Sequence, residues 1–112
     1  MSFSLHQLPS GLWVKLARRL TFSLDFDHTF TAAPSLWRDF IAGAHAAGHR
    51  VVLITRRPDT TEDRDEVTRR TKGAGLDRLI FAGDTQKEHA ARAAGEQIDI
   101  WIDDHPAGIP AA

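Results

Sequence analysis

From Leu20 onward, short apolar runs alternate with stretches that repeat apolar residues every three or four positions. The run LTFSLDFD places Leu20, Phe22, Leu24 and Phe26 on one face of an extended strand. VVLIT (Val51 to Thr55) is apolar on both faces, as a central strand of a parallel sheet is. LIFAG (Leu79 to Gly83) and IDIWIDD (Ile98 to Asp104) predict two further strands. Three helices are predicted between them. In the first, Pro34 to Ala47, Leu36, Trp37, Phe40, Ile41 and Ala44 make one stripe, with Gly48 as the stop. The second, Thr60 to Lys72, is nearly all charge. Val67 is its only large apolar residue, and Asp65–Arg69 and Glu66–Arg70 are spaced as helical ion pairs, the pattern of an exposed edge helix. The third opens on a capping box, Thr85 with Glu88, and runs through alanines to Gly95.

Strands alternating with helices predict an α/β fold: a three-layer, Rossmann-like parallel sheet with helices on both faces. The predicted core covers residues 20–106. Residues 1–19 form an extension, read either as a short helix carrying Leu12, Trp13, Leu16 and Leu20 or as an added edge strand. The tail, residues 107–112 (AGIPAA), is expected to fray.

A length of 112 residues suits one domain, and the absence of cysteine excludes disulfide scaffolds, thiolate zinc sites and cysteine nucleophiles. Fourteen basic residues against 15 acidic ones give no electrostatic push toward nucleic acid or membrane. No apolar run approaches the ~18 residues of a membrane helix. The first 19 residues lack the basic-then-apolar order of a signal peptide, so a cytoplasmic domain is expected.

Open parallel sheets bind ligands at the carboxyl ends of their strands. Those ends deliver Asp25 and Asp27, then Thr55, then Gly83 and Asp84, then Asp103 and Asp104, with Lys87 just inside the third helix. The opposite rim, at Arg50, Arg78 and Gln97, shows nothing comparable. Crowded carboxylates stay ionised at low cost only with a cation among them, and hard oxygen donors suit Mg²⁺. A divalent ion, an ammonium and a hydroxyl together suit a phosphoryl group, which a neighbouring aspartate can attack. A second carboxylate two residues on can then serve as acid and base.

These segments resemble the haloacid dehalogenase (HAD) superfamily of Mg²⁺-dependent phosphohydrolases over most of the chain, about Leu20 to Pro106. The resemblance rests on LDFDHT (Asp25, Asp27, Thr29), VVLITRRP (Thr55), GDTQKEH (Lys87) and IWIDDHP (Asp103, Asp104). It implies Asp25 as nucleophile and Asp27 as general acid/base. Asp25, the backbone carbonyl of Asp27, and Asp104 would ligate Mg²⁺, with Asp103 bracing the lysine or taking the ligand role instead. Thr55 and Lys87 would hold phosphoryl oxygens, with Thr29 and Arg56 also toward substrate. TRRP and IDDHP are similar to segments of nucleotide phosphatases in that superfamily, which implies a nucleotide or another bulky phosphate ester. A nucleic-acid end is less favoured by the balanced charge, and an oligomer that completes the pocket is compatible.

Two departures stand out. His28 occupies a place that is commonly glycine in that superfamily. Only four residues separate Thr29 from Pro34, and about 30 separate Thr55 from Lys87, so neither usual position has room for a cap domain. An open, capless site raises the alternative of a non-catalytic module that binds Mg²⁺ and phosphate. A further alternative is a receiver-like phosphoacceptor domain with Asp84 at its third strand. Arg57 joins Arg56 as a candidate grip on a distal phosphate, and His105 as a candidate substrate contact. Trp13, Trp37 and Trp101 read as core or packing residues.

Overall fold

The computed structural model describes residues 3–7 and 13–109, with side chains from residue 18 onward. The first two strands, β1 (Phe3–Gln7) and β2 (Trp13–Ala17), pair antiparallel with each other, from Phe3↔Ala17 to Gln7↔Trp13. They form a sheet of their own, so the described residues within 1–19 supply neither a helix nor an edge strand of the main sheet. A short helix is marginal by itself, whereas two adjacent strands satisfy each other's backbone groups. Leu12, counted in the expected helix, lies outside the described residues.

The main sheet contains β3 (Thr21–Leu24), β4 (Arg50–Thr55), β5 (Arg78–Phe81) and β6 (Ile100–Ile102), all parallel, in the order β5-β4-β3-β6. Helices α1 (Pro34–Ala46), α2 (Thr61–Thr71) and α3 (Lys87–Ala93) make the three connections. β4 is buried from Val51 to Thr55 because strands flank it and side chains cover both faces. On one face Leu24, Val51 and Leu53 pack with Ile41 and Ala44 of α1 and Val67 of α2. On the other, Val52, Ile54 and Ile80 pack with Ala91 of α3. Helices thus cover both faces, as the alternating pattern predicts.

Several local expectations give way to tertiary contacts. Leu36 is 60% exposed, although its helical period matches the buried Ile41 and Ala44. Glu66 reaches Arg57 at 3.0 Å, and neither expected ion pair within α2 is among those of the described residues. The capping box does not form: α3 starts at Lys87, and the Glu88 N–H donates instead to the Ile109 carbonyl at 3.1 Å. The same bond anchors the start of the tail, where Pro106–Gly108 form a helical turn with Gly108 buried. Residues 110–112 of the expected frayed tail lie outside the described residues. Gly48 does stop α1: it takes φ 86°, and the His49 N–H closes the last turn on the Ala44 carbonyl at 2.8 Å.

Sheet order matters most for the site. Counting β3 as the first core strand, the order is third, second, first, fourth. The direction of winding therefore reverses between β3 and β6, where the two neighbouring connections leave a crevice at the carboxyl ends. A receiver-like order would place the first core strand between the second and third. Here its neighbours are the second and the fourth. Residues 56–86 contain α2, β5 and their connections, with no inserted domain. No helix among the described residues is long and apolar enough to cross a membrane.

Candidate functional site

Register brings the acids together. Leu24 pairs with Ile102, so the next residues, Asp25 and Asp103, leave the sheet side by side. The Asp25 N–H extends the ladder by donating to the Ile102 carbonyl at 3.0 Å. Beyond Asp25 the chain stops being a strand, contrary to the extended reading through Asp27. Phe26–Phe30 form a wide turn in which the Phe30 N–H donates to the Asp25 carbonyl (3.2 Å) and the Thr31 N–H to that of Phe26 (3.1 Å). This turn carries Thr29 back, and its hydroxyl donates to Asp25 Oδ2 at 3.2 Å. Trp37 fixes the turn to α1 by donating its indole N–H to the Thr29 carbonyl at 2.9 Å.

His28 sits at the tip of this turn with φ 64°, the only non-glycine residue at positive φ among those described. Left-handed backbone strains a residue with a Cβ. The strain falls on the position where the sequence departs from the glycine of the resembled motif.

Lys87 lies at the centre. Its side chain is 3% exposed, and Nζ donates to Asp25 Oδ1 at 2.7 Å and to Asp103 Oδ2 at 2.5 Å. Its place at the start of α3 brings an ammonium to the positive end of a helix dipole, which is tolerable because two carboxylates meet it there. Asp103 is held in turn by the His105 N–H at 2.9 Å. Asp104 is exposed, and oxygens from Asp25, Asp103 and Asp104 all lie within 4.8 Å of one another. Burial pushes the Asp25 carboxyl up to about 6, with Lys87 opposing the rise and Asp104 adding to it. Asp104 is correspondingly held below the ordinary carboxylate range, chiefly by its contact with Asp25. The two carboxyls titrate together, and the proton they retain belongs to the pair. A cluster that retains a proton so far above the usual range is short of positive charge, and a cation binding there would displace it. Three hard oxygen donors are a set that Mg²⁺ accepts.

A cavity of about 310 Å³ opens over these groups, lined also by Asp27, His28, Thr55, Arg56 and His105. Thr55 is buried at the end of β4, with its hydroxyl accepting from the Arg57 N–H at 3.2 Å. The side chain of Arg56 donates to the Gly83 carbonyl at 3.4 Å. Thr29 faces Asp25 rather than this cavity, and Asp84 is exposed and apart from it.

Asp27 and Arg57 depart furthest from expectation. Arg57 clamps both oxygens of Asp27 at 2.9 Å, reaches Asp63 at 3.3 Å and Glu66 at 3.0 Å, and lies over the Phe26 ring. This holds the Asp27 carboxyl below its ordinary range. Arg57 is thus committed to protein carboxylates and is not a free grip for a distal phosphate. The acid-rich start of α2 was the sequence feature that signalled a partner for it.

Compared with known proteins, the chain matches no family model, no curated protein and no solved structure.

Proposed function

We infer that the protein is a Mg²⁺-dependent phosphohydrolase acting on phosphomonoesters through an aspartyl-phosphate. The observation that carries this reading is the buried Lys87 ammonium between Asp25 and Asp103, with Asp104 completing an oxygen cluster beside it. Asp25, Asp104 and Asp103 are the residues suited to hold the ion. A bound Mg²⁺ would offset the negative charge of an arriving phosphate.

Asp25 is the nucleophile in this reading. Lys87 orients it from one oxygen and the Thr29 hydroxyl from the other, and each oxygen keeps a second lone pair. An Asp25 oxygen bonds to phosphorus as the ester P–O bond breaks, and the leaving alcohol takes a proton. Water then attacks the aspartyl-phosphate, releasing inorganic phosphate and restoring the carboxylate. Asp27 is the group in reach of the cavity for these proton transfers. Its clamp on Arg57 keeps it ionised, which suits the base step directly and requires the clamp to loosen for the acid step.

That clamp also favours a second reading, a module that binds Mg²⁺ and phosphate without turnover. Release of inorganic phosphate from p-nitrophenyl phosphate and nucleotides, with Mg²⁺ and then EDTA, separates the two. Turnover that EDTA and Asp25→Asn both abolish supports the hydrolase. Magnesium binding with no turnover across the panel supports the module, and no magnesium binding ends both.

A further inference from the structure

We propose that the apolar hollow next to the carboxylate cavity is a leaving-group subsite that takes an uncharged aromatic ring of the substrate. This rests on the phosphohydrolase reading and names a substrate class for the same site. The hollow, about 330 Å³, is lined by Ala32, Ala33, Leu36, Trp37 and Ile102, with Thr29 beside them. It is continuous with the carboxylate cavity, because His28, Asp103 and Asp104 line both. A phosphoryl group over Asp25 would therefore have this open apolar surface beside its ester oxygen.

Three features specify the occupant. Leu36 is 60% exposed on a helix whose other stripe residues are covered, so apolar surface stands free at the mouth of the site. The Trp37 indole is held rigid by its bond to the Thr29 carbonyl and by edge-on packing on Phe40 at 5.8 Å, which offers a fixed surface to a flat group. No Lys or Arg lines the hollow, and the carboxylates of Asp103 and Asp104 border it. An anionic leaving group, such as one with a second phosphate, meets no cationic side chain of Lys or Arg there, while a neutral ring packs on Ala32, Ala33, Leu36, Trp37 and Ile102.

Benzyl phosphate and ethyl phosphate test this, since their alcohols are similar leaving groups and differ by the ring. With Mg²⁺, kcat/KM for benzyl phosphate should exceed that for ethyl phosphate by about tenfold or more. Leu36→Ser, at an exposed position that leaves the core intact, should reduce that ratio to under about twofold, and Leu36→Met should retain it. Hydrolysis of both esters at equal kcat/KM, or an unchanged ratio in Leu36→Ser, overturns the subsite and leaves the phosphohydrolase reading standing. Should neither ester be hydrolysed, turnover of p-nitrophenyl phosphate and nucleotides decides the phosphohydrolase reading and binding decides the subsite. Benzylphosphonate that shifts the Trp37 indole N–H resonance and binds more tightly than ethylphosphonate upholds the hollow as a ring site. Equal binding of the two phosphonates overturns it.

Discussion

The two ends of the parallel sheet carry similar numbers of acids and use them in opposite ways. At the amino ends, every acid has a dedicated partner. Glu96 takes Arg50 through two bonds, 2.5 and 3.1 Å, and Arg78 at 3.5 Å. Asp99 accepts from the Thr21 N–H and from Arg18, both at 2.8 Å. Asp77 accepts from the Val51 N–H at 2.7 Å and meets His45 at 2.9 Å. All three carboxyls are held below their ordinary range: Glu96 chiefly by Arg50, Asp99 chiefly by the Thr21 N–H, and Asp77 because its hydrogen bonds outweigh the effect of burial. At the carboxyl ends, Asp25 and Asp103 share one ammonium with Asp104 beside them, and Asp25 rises to about 6. The first set fastens strands to their surroundings. The second is unbalanced, and an unbalanced buried cluster is unfavourable in the free protein unless a ligand restores the charge. The difference separates structural acids from functional ones more clearly than residue type does.

Removing the single ammonium should break the comparison most severely. Lys87→Met leaves Asp25 and Asp103 facing each other without a counter-charge, and a loss of about 3–5 kcal/mol at pH 8 is expected in urea titrations. Part of it should return below pH 6, where a carboxyl takes up a proton. A variant as stable as the wild type at pH 8 would show that the cluster was never strained.

At the other end, Glu96→Gln should lower stability by about 1–3 kcal/mol in thermal melts, since the Glu96 carboxylate is buried against Arg50. Added magnesium should not restore this loss. Recovery with magnesium would mean that the two ends are not independent.

The pH dependence should have opposite signs at the two ends. Glu96, Asp77 and Asp99 have depressed values in the folded protein, so their contribution is present above the ordinary carboxyl range and is lost as pH falls through the folded values. Asp25 is raised, so the folded protein holds a proton that the unfolded chain releases near 3.8. Its penalty builds as pH rises from there to about 6 and is constant above. Melts of metal-free protein between pH 4 and 8 should show this upper limb as about 1–2 kcal/mol, and both magnesium and Asp25→Asn should remove it. An identical pH profile for Asp25→Asn would contradict the assignment.

The smallest effect is expected at His28. Exchange for glycine relieves the left-handed backbone but adds freedom to the unfolded chain, so stability should change by no more than about 0.5 kcal/mol. Phosphate release should nevertheless fall if the imidazole touches substrate, and unchanged kinetics would limit His28 to a turn residue.

Much of this was legible in one dimension. The two periods of the apolar pattern identified β3 to β6 and all three helices, and the polar residues that end strands named Asp25, Thr55, Asp103 and Asp104, with Lys87 at the start of the third helix. Contacts between distant segments were not legible. The start of α3 depended on the Ile109 carbonyl, more than 20 residues away, taking the N–H that the capping box would have used. The place of Glu66 depended on Arg57, which its own helix period did not contain. Leu36 had the spacing of a core residue, but the packed chain leaves it 60% exposed.

By itself, the order of residues determined the alternation of strands and helices, and placed acids where apolar runs stop, because burial period and strand termination are local properties. Only the tertiary structure decided that β6 lies beside β3, which puts Asp103 and Asp104 next to Asp25. It alone committed Arg57 to Asp27 and left an apolar hollow open beside the carboxylates. Those outcomes depend on which elements become neighbours, and neighbours are chosen by the packing of the whole chain.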